Sequence, residues 1–432
     1  MGKELEETLP SKRSPAPVEI TAGRKTERSQ TQPKHFSSKE ANVLPDSILI
    51  SRKRRQHLQS LWSNARVGSD APARHGCEKL GESRVSGCVE VTEPDSIVVP
   101  NFKVGSLEMY KRFPLQYDYL MRYHDCSLVK EYIHSLLDDL QRSSSCVSRN
   151  STEGKNNSEA DAPGSLSSFA VADFGCGTGR MGCMMSCHGA VRALYCYDSE
   201  VAMLYPCMDN IVRSVASLRK DMKGVCFVPN ADCFGRVETE DHVWVGDTCS
   251  EDCSDYQGSD ASMFQLCVRP ISFSHVQQGL LKEHKRCRLI VCAWSLSYVM
   301  RASWGADRWH AAVDATISNL LELLDTASPS VKSSNSGSVG TSSHRGTSAL
   351  VIIETLGTNT TEPRRQNTLL ERLETHHGFE RRWVRSDYNF PSMTEAVKLT
   401  RFFFGESMSQ RVQQSGDTKL AECTGIWTRW FH

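Results

Sequence analysis

The chain has no long hydrophobic run, no C-x-x-C pair and no excess of either charge. None of its apolar stretches approaches the roughly 18 residues needed to cross a bilayer, so no membrane association is expected. The opening Met1-Gly-Lys-Glu-Leu-Glu-Glu is acidic and polar where a secretory signal would be apolar, and Glu6 stands where N-myristoylation requires Ser or Thr. A cytoplasmic or nuclear protein is the expectation. Lys+Arg and Asp+Glu both number 51, so no overall basic field draws nucleic acid to the chain. Hydrophobic content of 39% is low for 432 residues, which implies long stretches outside the core. The 17 cysteines are scattered. Several sit within apolar runs (Cys196, Cys292) or beside glycines (Cys176), where a small reduced hydrophobe fits. Cys233, Cys249 and Cys253 lack neighbouring histidines or a second pair at ligand spacing, so no metal is expected from them.

What is present is concentrated in Val171-Ala-Asp-Phe-Gly-Cys-Gly-Thr-Gly-Arg180 and Tyr195-Cys-Tyr-Asp198. Phe169 to Phe174 is long enough for a buried strand, and it breaks into glycines at 175, 177 and 179. Glycine there permits a tight turn and lets a ligand approach the backbone without meeting a Cβ. Arg180 to Ala193 reads as a helix, and Leu194 to Tyr197 as a second strand with Asp198 at its tip. Strand, glycine turn, helix, and a second strand ending in a carboxylate form a nucleotide-binding half-unit, the carboxylate accepting from ribose hydroxyls. The glycines depart from the dinucleotide spacing, with Gly182 coming only later. A nicotinamide or flavin site is the alternative ligand for such a turn, and a ligand-free strand-to-helix turn is the plain structural one.

The rest of the chain falls into segments. Residues 1–100 lack periodicity and read as a disordered, low-complexity extension. Within them Ser51-Arg-Lys-Arg-Arg55 is either a solvated charge run opening a short helix through Leu58 and Leu61, or a nuclear-import or RNA-contacting patch. A domain over 101–432 follows, with insertions at about 141–165, 235–268 and 328–347. Tyr110 to Leu140 has helical periodicity. Glu200 to Lys220 reads as a helix with Ser199 at its N-cap. Val225 to Val228 is a third strand candidate with Asp232 beyond its end, while Ile271 to Val276 is the alternative segment for that slot. Arg288 to Trp294 and Leu350 to Gly357 are later strands, and Ala293, Trp294 and Ser295 should project into the crevice beyond the carboxyl ends of a parallel sheet.

The G-x-G-x-G turn with Asp173 just before it resembles motif I of the class I S-adenosylmethionine-dependent methyltransferases. The later series Trp294, Glu354-Thr-Leu-Gly357, Asp387-Tyr388-x-Phe390, Phe402-Phe-Phe-Gly405 and Thr424-Gly-Ile-Trp427 looks like a little-characterised branch of that family. The resemblance covers roughly residues 105–432. It implies an α/β fold with a Rossmann-like, doubly wound, mostly parallel seven-stranded sheet and S-adenosyl-L-methionine as cofactor. It also implies binding by Asp173, Gly175, Cys176, Gly177, Thr178, Gly179, Asp198, Ser199, Asp232 and Trp294, with Asp232 holding the adenine amino group. Tyr117, Tyr119 and His124 fall in an N-terminal segment that lies across the cofactor cleft in many members. The tyrosines have packing as an equal alternative, and His124 an orienting bond to Asp125. His124 and His275 are the candidate bases for a hydroxyl acceptor. The strand-four exit Ala293-Trp-Ser-Leu296 is not the Asn/Asp-Pro-Pro-Tyr signature, which disfavours adenine-N6 or glutamine-amide methylation. Pro206-Cys207 lies after strand two, where core packing is expected of it and not the nucleophilic role of cytosine-C5 enzymes. An N or O acceptor on a protein (a protein N-terminus included) or a small molecule is expected ahead of RNA. The alternatives are a non-catalytic S-adenosylmethionine-binding protein and an RNA methyltransferase.

Overall fold

The computed structural model describes residues 56–58, 60–61, 64, 97–149, 168–227, 244–245, 263–278, 287–304, 308–326, 347–364 and 367–431. Each of these belongs to one compact unit, Leu44–His432. In chain order the elements are α1 (Ser106–Arg112), α2 (Pro114–Met121), α3 (Ser127–Arg149), β1 (Phe169–Phe174), α4 (Arg180–Ser186), β2 (Val191–Asp198) and α5 (Val201–Leu218). There follow β3 (Gly224–Phe227), β4 (Trp244–Val245), β5 (Met263–Pro270), a 3-10 turn (Phe273–Gln278), β6 (Leu289–Ala293), α6 (Leu296–Ser303) and α7 (Trp309–Glu322). The chain closes with β7 (Ser348–Thr358), α8 (Thr368–Thr375), β8 (Glu380–Arg385), β9 (Tyr388–Asn389), α9 (Met393–Phe404), α10 (Glu406–Ser415), β10 (Lys419–Leu420) and β11 (Glu422–Phe431). Among the described residues no helix is long and apolar enough to cross a membrane.

The main sheet has nine strands where seven were expected, in the order β4-β3-β5-β2-β1-β6-β7-β11-β8. The extra pair sits at one edge: β3 runs parallel to β5, and the two-residue β4 closes the edge antiparallel to β3. The expectation for 235–268 as an insertion is corrected at its end, because Met263–Pro270 is the strand that pairs with β2. Its burial pattern and its apolar Met, Phe, Leu, Cys and Val are those of an interior strand. β11 runs antiparallel between β7 and β8, while the ladders from β3 through β5, β2, β1 and β6 to β7 are parallel.

Alternation along the strands makes two cores. Val171, Leu194, Val291 and Val351 point to one face, where they meet Ile133, Leu137 and Leu140 of α3 and Leu204, Ile211 and Val215 of α5. Ala172, Phe174, Ile290 and Ile352 point to the other, against Val313, Ile317 and Leu320 of α7 and Leu370 and Leu373 of α8. Leu58, within the stretch read as an extension, is fully buried in the first of these cores. Such burial contributes about 2 kcal/mol. A third cluster joins Met109 of α1 and Leu120 of α2 to Tyr388, Leu399, Phe402 and Leu420, so early and late segments share one layer.

Two expected boundaries shift for local reasons. α4 stops at Ser186, not near Ala193, and β2 starts at Val191. The buried Arg219 guanidinium donates to the carbonyls of Ser186, His188 and Val191 at 3.0, 2.8 and 2.9 Å, which satisfies the acceptors the short helix leaves over. Ser199 does not cap α5: the N-cap is Glu200, whose amide donates to Asp198 Oδ1 at 2.8 Å.

Candidate functional site

Four parallel strands end on the same side of the sheet, and their exits enclose one cleft. Gly175 and Gly177 follow β1, Asp198 to Glu200 follow β2, Ile271 to Phe273 follow β5, and Ala293 to Ser295 follow β6. Because β2 and β6 lie on opposite sides of β1, the chain reverses direction there and leaves room outside the carboxyl ends. Tyr110, Tyr117, Met203 and Tyr298 complete the lining.

The glycine turn is fixed from below. The amides of Gly175 and Cys176 both donate to the Tyr197 carbonyl, at 2.7 and 3.0 Å. Gly175 and Gly177 have φ of 71° and 52°, in the left-handed region. A Cβ on Gly175 would fall 2.3 Å from Ser295 Cβ, so the close approach of β1's exit to β6's exit requires its absence. Gly177 is different: a Cβ there meets only Met203 Cε at 3.7 Å and Tyr117 Cε1 at 3.8 Å, both cleft-lining residues. Its amide donates to Asp198 Oδ2 at 2.8 Å, which ties the turn to the tip of β2. Burial pushes the Asp198 carboxyl up to about 6, against the pull of the Glu200 and Gly177 amides.

The β6 exit bends sharply. Trp294 adopts φ 52°, an uncommon conformation for a bulky side chain, and its amide donates to the Ile353 carbonyl at 2.6 Å. Ser295 Oγ donates to the Phe174 carbonyl at 2.9 Å, and Ser297 N to Glu354 Oε1 at 2.9 Å. Trp294 lines the cleft, and its indole Nε1 is buried without a hydrogen-bond partner. An aromatic wall faces it: Tyr110 packs edge-on against Tyr117 at 5.3 Å, shares a 3.0 Å hydroxyl contact with Tyr298, and Tyr117 stacks on Phe403 at 5.9 Å.

Of the residues expected to bind cofactor, Tyr117, Gly175, Gly177, Asp198, Ser199 and Trp294 line this cleft. Others do not. Asp173 is 1% exposed beneath the turn and accepts from the Gly182 amide at 3.1 Å. Cys176 and Gly179 face Cys207 in the interior, and Thr178 is buried with its carbonyl accepting from Asn210 Nδ2 at 3.0 Å. Cys207 is fully buried, in keeping with a packing role. Tyr119 turns away, its hydroxyl accepting from Tyr123 at 2.9 Å and donating to Glu395 at 3.4 Å. Asp232 lies outside the described residues. His275 belongs to the 3-10 turn beyond β5, and its side chain is outside the description.

His124 is 3% exposed, stacks on Tyr388 at 4.4 Å, and lies 5.5 Å from the Trp294 ring without lining the cleft. Arg180 Nη1 donates to its Nδ1 at 2.9 Å, and the same guanidinium also bonds the His124 carbonyl. Burial, then Arg180, pushes the imidazole down, so it is neutral with its hydrogen on Nε2, 3.7 Å from Glu422 Oε1. Its basic lone pair is thus occupied, and its role in this arrangement is to seat Arg180. Its expected bond to Asp125 is replaced as well: Asp125 Oδ1 accepts from the Ser127 amide at 3.0 Å, at the start of α3.

Tyr110, Met203, Glu200 and Phe273 line the cleft without having been singled out. Met203 carried a signal, standing five positions after Asp198 on a helix that opens at the cleft, but its apolar spacing reads equally as core. Of the two segments weighed for contact with adenine, Ile271–Val276 brings Ile271, Ser272 and Phe273 to the cleft, and Asp232 lies outside the described residues.

The chain matches no family model and no curated protein. Among solved structures it is similar to precorrin-6y C5,15-methyltransferase from Geobacter metallireducens, at 10% identity and a TM-score of 0.29, over 62% of this chain and 81% of that one. A SAM-dependent methyltransferase from Thiobacillus denitrificans in complex with S-adenosyl-L-homocysteine gives 10% identity and a TM-score of 0.27, over 61% and 84%. An arsenic(III) S-adenosylmethionine methyltransferase from Chlamydomonas reinhardtii gives 11% and 0.28, over 64% and 68%. Likenesses this distant carry no weight for reaction or substrate.

Proposed function

We propose that this protein is an S-adenosylmethionine-dependent methyltransferase acting on an N or O acceptor of a protein, N-termini included, or of a small molecule. The observation that carries the reading is the 2.8 Å bond from the Gly177 amide to Asp198, which brings a backbone with no Cβ and a carboxylate together at the mouth of one cleft. The residues fit that cofactor. Gly177 leaves space that a Cβ would fill, Asp198 is a hydroxyl acceptor, and Ile271 and Phe273 offer an apolar wall for a purine.

When bound, S-adenosylmethionine supplies an electrophilic methyl group for in-line displacement. The work of the chain is then to hold donor and acceptor aligned and to exclude water. Asp198 would fix the sugar, the turn 175–177 the backbone of the amino-acid end, and Tyr110, Tyr117 and Tyr298 would shield the acceptor side. Among the described residues of the cleft none carries an imidazole, and His275, whose side chain is outside the description, stays the candidate base for a hydroxyl acceptor.

Calorimetry of the full chain with S-adenosylmethionine, then with Gly177→Arg, tests the reading. One-to-one binding that the variant abolishes is expected. No binding by the natural sequence, or unaltered binding by the variant, would remove the cofactor assignment. Transfer of labelled methyl to an acceptor in a cell extract is expected next, and binding without any transfer would mark a non-catalytic binding protein.

A further inference from the structure

Beneath the glycine turn three thiols from three elements meet: Cys176 from the turn, Cys196 from β2 and Cys207 from α5. Their Sγ atoms lie within 4.8 Å of one another, and those of Cys176 and Cys207 are 3.8 Å apart. Exposure is 6% for Cys176 and 0% for the other two. Buried cysteines ordinarily act as small hydrophobes. Two geometric features set this group apart. The three Sγ atoms come from a turn, a strand and a helix and converge on one point, those of Cys176 and Cys207 in direct contact. Asp173, which strand register places opposite Cys196, is 1% exposed and leaves Oδ1 with no hydrogen-bond partner.

We propose that Cys176, Cys196 and Cys207 form a binding site for one divalent, thiophilic cation of the zinc type; the Asp173 carboxylate, opposite Cys196 in the strand register, lies outside the 4.8 Å group. Metal–sulfur bonds of about 2.3 Å place the sulfurs of a three- or four-coordinate shell about 3.8–4.0 Å apart. The observed 3.8 Å already matches, and the 4.8 Å limit leaves a contraction of less than about 1 Å. Binding is an exchange without redox change: Zn2+ and three R–SH give Zn(SR)3− and three protons released to solvent. The place of the site gives it a consequence. Cys207 Sγ lies 2.9 Å from where a Cβ of Gly179 would stand, so an ion there braces the turn from the side opposite the cleft. The inference does not depend on which ligand the cleft takes.

The test uses the full chain, stripped by chelator under reducing conditions, titrated with Zn2+ against a chromophoric competitor and with Cd2+ by its thiolate charge-transfer absorption. One ion per chain is expected, with the absorption of three thiolates. Cys196→Ser and Cys207→Ser should each weaken binding on the order of 100-fold, while Cys267→Ser and Cys287→Ser leave it unchanged. No tight ion, or an ion retained by both cluster variants, overturns the proposal. Should those variants fail to fold, X-ray absorption of the Cd2+-loaded natural chain decides. A shell holding three sulfurs supports the site, and a shell with fewer than three sulfurs overturns it. Calorimetry of the metal-free chain with S-adenosylmethionine reads the cleft separately.

Discussion

Adding the same single methyl group at Gly175 and at Gly177 should damage two different things. Both residues have positive φ, so Ala at either carries about 1–2 kcal/mol of backbone strain. At Gly175 the new Cβ lands 2.3 Å from Ser295 Cβ and 2.7 Å from its Oγ, far inside contact distance. Relief means moving the β6 exit, at about 1–3 kcal/mol for overpacking, and losing the Ser295–Phe174 hydrogen bond, worth about 1 kcal/mol. At Gly177 the nearest atoms stand at 3.7 and 3.8 Å, ordinary contact distances, so the strain is the whole cost to the fold. Gly175→Ala should therefore be less stable than Gly177→Ala by about 2–4 kcal/mol in denaturant unfolding. In calorimetry Gly177→Ala should fold and yet bind S-adenosylmethionine at least about tenfold more weakly, a loss of about 1.4 kcal/mol, because its Cβ enters the ligand's space. Equal stability of the two variants refutes the steric reasoning. Unaltered binding by folded Gly177→Ala refutes the assignment of the turn as the cradle.

Cofactor affinity should rise about tenfold per pH unit below the Asp198 value of about 6 and level off above it, because an ionised carboxylate is the better acceptor for hydroxyls. Asp198→Asn should flatten that profile, and a flat profile in the natural chain counts against the carboxylate's role. Glu422, buried at 3% exposure, has its carboxyl raised from 4.5 to about 7 by burial, with Thr358 and Thr355 opposing. The fold thus holds a proton that the unfolded chain releases between those values, so stability falls as pH rises through that window and stays lower above it. Glu422→Gln should match the natural chain near pH 4 and exceed it at pH 8, by up to about 3 kcal/mol, in thermal unfolding; a variant that is weaker at pH 8 rejects the idea. Trp294→Phe removes a buried donor with no partner, so thermal unfolding should show a stability change of under about 1 kcal/mol, and a larger loss would mean that the indole nitrogen is bonded.

The half-unit was legible because its signals are local. An apolar run, glycines two apart and a strand ending in Asp198 each read from a few residues, and β1 falls on Phe169–Phe174 as expected. The identity of the strand beside β2 was not, since Val225–Val228 and Met263–Pro270 are both short apolar runs and the choice between them is made by long-range pairing. Partial positions within the motif also escaped the sequence. Spacing shows that Asp173, Cys176 and Thr178 lie near the turn but not that they face inward, which depends on the 2.8 Å tie between Gly177 and Asp198. The three thiols stand at 176, 196 and 207 with no shared spacing, and only the stacking of turn, strand and helix brings them together.

The wall formed by α1 and α2 has a consequence for how the molecule is made. Tyr119 meets Glu395, 276 residues further along, and His124 pairs with Tyr388 in an isolated bridge. Synthesis delivers one partner of these contacts long before the other. A nascent chain can complete the turn at 175–179 early, but the side of the cleft that Tyr117 shares with Phe403 has no support until the last helices emerge. Binding competence would then arrive late and all at once, because a product that stops before these helices also lacks β11, the strand that joins β8 to β7.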